Sequence, residues 1–246
     1  MSVFCMAASC GGLREDRTVR PAGRRVKPLT CRSDGPVACA PMLGPVTPLY
    51  LDPQLLVLDK PAGMLAVPGR LVADCLVTRA RACWPELQVV HRLDMATSGL
   101  MLFARSPAVQ RQLSRAFAER QVRKRYVALV QGLLADDAGE IDLPLAADWP
   151  RRPRQQVDRQ RGKPSLTRYR VLSRDPVAGR TRLALEPVTG RTHQLRVHLC
   201  AIGHPIVGDP LYGGQAEARL MLHAERLGLA HPVDGRPIDV HAAAPF

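Results

Sequence analysis

HRLDMATSGLMLFARS, residues 91–106, is the stretch on which the reading of this chain turns. Its second half is the apolar run LMLFA (100–104), followed by Arg105 and then Ser106-Pro107, a helix N-cap with a first-turn proline. The pattern predicts a strand over 100–106 and then a helix. In that helix Val109, Leu113 and Phe117 recur at i, i+4 and i+8 and make one buried face, with Arg111, Arg115, Glu119 and Arg120 outside. The first half of the stretch is polar. It places Asp94 just after the short apolar strand LQVV (87–90), beside His91 and Arg92 and before Thr97, Ser98 and Gly99. A carboxylate at the end of a strand, among small hydroxyl residues, either faces a cleft or caps its own turn.

Working outward, LLVLDK (55–60) reads as a strand, 72–84 as a helix and KRYVALVQG (124–132) as a strand. Segments 139–145, 165–173 and 180–186 read as further strands. HQLRVHLCAIG (193–203) reads as a helix with Leu195, Leu199 and Ile202 on one face and Gly203 as its stop. Residues 219–241 read as two strands about a turn at 233–236. Strands outnumber helices and come in hairpin-like pairs. The expected fold is therefore α+β: a mostly antiparallel mixed sheet with flanking helices and a central cleft.

The first 45 residues differ. They hold four of the seven cysteines, seven basic and three acidic residues, and no sustained periodicity. They read as a disordered extension, as a segment resembling an organellar transit peptide, or as the product of a start placed upstream of a true start at Met42. The folded part is expected to be one domain over 46–246. No apolar run reaches the roughly 18 residues that cross a bilayer, and seven cysteines without a CxxC pair suggest reduced thiols in the cytoplasm.

The 246 residues carry 35 Lys+Arg against 22 Asp+Glu, a net charge of +13, and only four of the cations are lysine. Such a balance suits nucleic acid or an acidic membrane surface, and a GC-rich genome also favours arginine. The distribution narrows this. Residues 111–125 and residues 150–163 each hold six basic residues and one acid, so charge is concentrated in two segments. Only Tyr126 and Trp149 flank them, too few aromatics for general single-strand binding. A folded RNA held through its backbone is the expected partner, with Arg115, Arg123, Arg152, Arg154 and Arg159 as candidate phosphate contacts and no membrane partner.

The chemistry offered is sparse. The seven histidines form no HxxxH or HExxH pattern, and His193 and His198 lie on different faces of their helix, so no metal site is predicted. GxGxxG and GxxxxGK[ST] are absent, and no cofactor is expected. In TGRTHQLRVH, Arg191 stands just before a helix and Arg196 in its first turns. Arg191 there either pairs with a buried carboxylate and keeps it ionised, or binds a phosphate.

HRLDMATSG together with GRTHQLRVHLCAIGHPIVGDPLYGG (190–214) resembles the RluA family of pseudouridine synthases. The likeness runs over about 200 residues, from LDKPAGMLAVPG (58–69) to LMLHAERLGLAHP (220–232). LPLAADWPRRP (143–153) and GKPSLTRYRV (162–171) are most similar to the family's dual-specificity member, which acts on 23S rRNA and on the tRNA anticodon stem-loop and lacks an S4-type domain, as is expected here. The resemblance implies a cofactor-free isomerase of uridine in structured RNA, expected as a monomer. It places the catalytic aspartate on Asp94, acting at the ribose C1′, at C6 of uracil, or as a base that forms a glycal. It places an arginine partner on Arg191 and a stacking, proton-handling tyrosine on Tyr126. Leu195 becomes an apolar wall under the base, and Arg92 the residue that fills the RNA helix when the uridine flips out. His91 and Thr97 are candidate substrate contacts from the same motif. A competing expectation is an RNA-binding ribosome-assembly factor without essential catalysis.

Overall fold

The runs LLVL and LMLF do not alternate because both faces of their strands are covered. In a computed structural model, which describes residues 48–69 and 72–246, they lie in β2 (Leu55–Lys60) and β4 (Ser98–Ala104), paired antiparallel. Leu55, Val57, Leu100 and Leu102 pack with Val109 and Leu113 of helix α2 (Pro107–Ala118). Leu56, Leu58, Met101 and Phe103 face the other way, against Leu76, Val77 and Ala80 of helix α1 (Leu76–Cys83). Helix α2 begins as its sequence requires, with Ser106 Oγ accepting the Val109 amide at 3.3 Å and proline in the first turn. Helix α1 is shorter than the expected 72–84 because the Cys75 side chain caps it, accepting the Thr78 amide.

The remaining strands are β1 (Pro48–Leu51), β3 (Gln88–Val89), β5 (Arg123–Gln131), β6 (Ala138–Asp142), β7 (Leu145–Ala147), β8 (Gln155–Val157), β9 (Leu166–Asp175), β10 (Arg180–Pro187), β11 (Leu222–Ala230) and β12 (Pro237–His241). Ten form one sheet in the order β1-β2-β4-β11-β5-β10-β9-β6, with β12 beside β11 and β3 beside β4. Helix α3 (Gln194–Ala201) covers the second half of the sheet, with Leu195 and Leu199 packed on Ala128, Val130, Leu183 and Leu185. The fold is α+β, as expected, and the expected strands and helices are present. Three strands were not anticipated: β1, and the two-stranded β7–β8 sheet, whose second strand lies within the arginine-rich segment 150–163. The expectations for residues 1–45 lie outside the described residues.

One pairing breaks the antiparallel pattern. Strand β11 runs parallel to β4 for two residue pairs, His223 with Ser98 and Ala224 with Gly99, and joins the two halves of the sheet. Gly99 has φ +112°, and a Cβ there would lie 2.3 Å from the Ala224 carbonyl oxygen. Only glycine lets the backbones approach this closely. Ser98 Oγ meets His223 Nδ1 at 2.8 Å and adds a side-chain tie across the joint. The loop carrying Asp94 enters β4 at this seam, so the candidate carboxylate sits between the two halves of the sheet.

Candidate active site

The Asp94 loop is held from below by Lys60. Its side chain is fully buried at the end of β2, and Nζ donates to the carbonyls of Pro61, Met64 and Met95 at 2.8–3.0 Å. Burial pulls the ammonium down to about 8, while the nearby charge of Asp94 pulls it up. Three carbonyl acceptors match the three protons of the ammonium, and they tie the turn after β2 (Pro61 and Met64) to Met95, the residue next to Asp94. The Thr97 amide donates to the Asp94 carbonyl at 3.1 Å and closes the turn.

Asp94 is partly exposed and faces helix α3 across a cleft of about 310 Å³, at the small end of ligand pockets. Its charged partner is Arg196 (Nη1–Oδ2 3.8 Å), and the His193 ring faces the same oxygen (Nε2–Oδ2 3.9 Å). Arg196 is buried and gives a two-pronged bond to Asp209, with both contacts at 2.7 Å. Burial works against the guanidinium charge, but Asp209 and Asp94 more than offset it and raise its pKa. One fork of Arg196 is thus fixed by a wholly buried carboxylate, and the remaining nitrogen is aimed at Asp94.

This corrects the expectation for Arg191. The arginine expected to pair with Asp94 is instead exposed, with its Nε 3.4 Å from the Pro164 carbonyl. The reason lies in the turn before α3. The Gln194 side chain accepts from the Arg191 amide and Thr189 hydroxyl and donates to the Leu166 carbonyl, which holds the GRT turn against β9 and leaves Arg191 at the cleft mouth. Arg196, one helical turn further on, takes the partner position.

His193 occupies the left-handed region (φ +54°), an uncommon conformation for histidine, and delivers its ring to the cleft. Its Nδ1 meets the Tyr212 hydroxyl at 2.7 Å, and that oxygen also accepts the Gln155 amide at 2.8 Å. Burial lowers the His193 pKa, with Asp94 opposing and Arg196 assisting, so the ring is neutral near pH 7. The Tyr212 hydroxyl thereby fixes the orientation of the imidazole, with Nδ1 on the phenol and Nε2 toward Asp94.

Tyr126, Leu195, Thr97, Arg92 and His91 line the same cleft. Burial, and then the charge of Asp94, raise the Tyr126 hydroxyl pKa, so it remains a phenol at physiological pH. Arg92 is exposed at the rim, whereas Thr97 and Leu195 are buried in the wall. His91 has a second task that its position in the motif did not reveal: Nε2 accepts the Leu102 amide at 2.9 Å, and the ring stacks on Phe117 with centroids 4.8 Å apart. Burial and, secondarily, Lys124 pull its pKa from 6.5 down to about 4. A folded pKa below the unfolded one means that the unfolded chain takes the proton first on acidification. The His91 contribution to stability is therefore complete above pH 6.5 and is lost on the way down to about 4. Wild type is expected to lose about 2 kcal/mol more than His91→Gln between pH 7 and pH 4.5. Urea unfolding at both pH values checks this, and equal losses would refute it.

A larger groove of about 670 Å³ opens beside the cleft and shares Lys124, Phe117, Thr189 and Arg191 with it. Its walls carry Arg120, Arg123, Arg125, Arg168 and Arg226, so much of the first basic segment lines it. Arg115 does not: it pairs with Glu119 at 2.6 Å on the outer face of α2. In the second segment Arg152 lies over Trp149, Arg154 over Tyr212, and Arg159 is exposed. Sequence reasoning missed Arg196, Asp209, His193, Tyr212 and Lys60. A signal existed for one pair: Asp209 is the only acid between Glu186 and Glu217 and so the only nearby partner for an arginine on the apolar helix α3.

A ten-stranded mixed sheet thus presents one carboxylate at its seam to a small cleft, beside a basic groove suited to a polyanion. The chain belongs to the RNA pseudouridylate synthase family, which residues 54–201 match. It is 48% identical over 204 residues to the dual-specificity RNA pseudouridine synthase RluA of Yersinia pestis, covering 80% of this chain and 98% of that one. The Escherichia coli K12 enzyme of the same name is 47% identical over 80% of this chain and 93% of its own length. Among solved structures, human RNA pseudouridylate synthase domain containing 1 matches with TM-score 0.70 and 33% identity, covering 82% of this chain and 84% of that one. The chain is an RNA pseudouridine synthase.

Proposed function

We propose that residues 46–246 form the catalytic domain, that Asp94 is its catalytic carboxylate, and that its substrates are 23S rRNA and the tRNA anticodon stem-loop. The observation that carries the assignment is that Asp94, the one carboxylate among the described residues lining its cleft, lies 3.8 Å from an arginine locked by a second, buried aspartate. The flipped uridine enters between Tyr126 and Leu195, with Arg92 filling the gap left in the RNA stack. Asp94 acts at C1′, at C6, or as a base on the ribose. In each route the N1–C1′ bond breaks, the base turns, C5 bonds to C1′, the C5 proton leaves to solvent and N1 ends protonated. No atom is lost from the RNA and no energy source is required. Arg196 and His193 hold the carboxylate in place, and the Tyr126 hydroxyl handles the C5 proton. Thr97 and His91 shape the cleft wall, and Arg191 at its mouth meets a phosphate.

The two basic segments support a structured RNA as substrate, and the dual specificity in the relatives' names supports two RNA classes. The enzyme acts as a monomer in the cytoplasm; among the described residues no helix is long and apolar enough to cross a membrane. Transcripts of a 23S rRNA fragment and of an anticodon stem-loop test the substrate assignment: one defined uridine in each should become pseudouridine. Conversion of only one class would remove the dual specificity. Changing Arg152, Arg154 and Arg159 to Gln should raise KM and flatten its salt dependence without changing the uridine selected. An unchanged salt slope would remove this arm from the phosphate-binding surface.

A further inference from the structure

Trp149 is 68% exposed, the most exposed aromatic residue among the described residues whose large apolar side chains reach solvent. It opens a single 3-10 turn (Trp149–Arg151) between β7 and β8, in the second basic segment. The turn is firmly built. Asp148 is buried beneath it and pairs with Arg151 at 2.8 Å, its amide donates to the Arg154 carbonyl, and the Arg154 amide donates to the Arg151 carbonyl. The Arg152 guanidinium lies 3.4 Å from the centre of the Trp149 ring, so one face of the indole carries a cation. The one acid of the basic segment itself, Asp158, is used by its own loop, accepting the amides of Gln160 and Arg161 at 2.9 Å.

The root of this arm is fastened to the catalytic cleft. The Gln155 amide donates to Tyr212, Tyr212 bonds His193, and His193 faces Asp94. Arg154 lies over the Tyr212 ring, and its Nε is a buried donor that meets no acceptor among the described residues. An exposed indole backed by a guanidinium, on a cationic arm rooted beside the carboxylate, has the chemistry of a platform for a flat, anionic-backboned ligand.

We infer that Trp149 and Arg152 form a stacking platform for an unpaired nucleobase neighbouring the target uridine, with Arg154 at the adjoining phosphate. The inference rests on the RNA reading above and adds a second base-binding position to it. Stacking on an indole tolerates every base, so the platform fixes where the RNA strand leaves the cleft without choosing its sequence. It also orders the arm whose Gln155 amide holds Tyr212, and through it His193.

The chain has two tryptophans, and Trp84 packs against the α1 core, so Trp84→Phe leaves Trp149 as the sole indole reporter. An anticodon stem-loop transcript, labelled for anisotropy, reports binding independently. Saturating RNA should quench the Trp149 emission and reduce its collisional quenching by iodide. Trp149→Ala, in the otherwise native chain, should raise KM about tenfold, and Trp149→Phe should restore most of the loss. Bound RNA that leaves both the emission and the iodide access unchanged would overturn the platform, as would an unaltered KM in Trp149→Ala. If the RNA is bound and Trp149 is quenched but no pseudouridine forms, the platform stands and the functional reading fails. If pseudouridine forms without any change at Trp149, the reverse holds.

Discussion

Arg196→Ala is expected to unfold about 3–5 kcal/mol more easily than wild type and to lose nearly all activity. The side chain is buried in α3, and its removal leaves Asp209, with a side chain 0% exposed, as an uncompensated charge. That carboxylate also accepts the amides of Leu211 and Tyr212 at 2.9 and 3.2 Å, so its disturbance spreads to the Tyr212 that orients His193. For a folded part of this size the thermal midpoint should fall by about 6–20 °C. Arg196→Lys separates the two roles. Lysine keeps the charge but lacks the planar fork that engages Asp209 with two bonds and still reaches Asp94. It should retain more stability than alanine yet lose about a hundredfold in kcat. Thermal unfolding and single-turnover kinetics on the same samples check both statements. A fully active Arg196→Lys beside an inactive Arg191→Ala would return the partner role to Arg191.

Asp94→Asn is expected to lower the isomerisation rate by about 10⁴-fold or more, with RNA affinity retained. Asparagine has the same shape, and its amide still fits between Arg196 and His193, so the loop held by Lys60 should keep its conformation. The loss is then chemical: an amide neither attacks the sugar or base nor takes a proton from the ribose. The unfolding midpoint should change little, because the carboxylate is partly exposed and its contacts with Arg196 and His193 are long, at 3.8 and 3.9 Å. This separates Asp94 from Asp209, whose loss should appear first as lost stability.

Local signals made most of the fold legible. The cap at Ser106 with Pro107, the i, i+4, i+8 series of α2 and the stop at Gly203 each act within one or two turns, and the sequence spells them out. The parallel joint of β4 and β11 was not legible, because Ser98 and His223 are 125 residues apart and Gly99 shows its need for glycine only with Ala224 opposite. Strands β7 (LAA) and β8 (QQV) are three residues each, too short to show an alternating pattern.

At the site, Asp94, Tyr126, Leu195, Thr97 and Arg92 were placed together by the motif and lie in one cleft. The choice between Arg191 and Arg196 depended on where Asp209 ends up in space, which spacing along the chain does not encode. His91 shows the same limit in another form. Its neighbours in the motif face the cleft, but its ring nitrogen is held by the amide of Leu102, inside the strand that follows.

The most direct measurement is tritium release from RNA carrying C5-labelled uridine, with wild type and Asp94→Asn run in parallel and EDTA present. Wild type should release tritium in step with pseudouridine formed in uncleaved RNA, and Asp94→Asn should bind the same RNA and release almost none. Release by Asp94→Asn at the wild-type rate would contradict the account, as would bound RNA from which wild type releases no tritium.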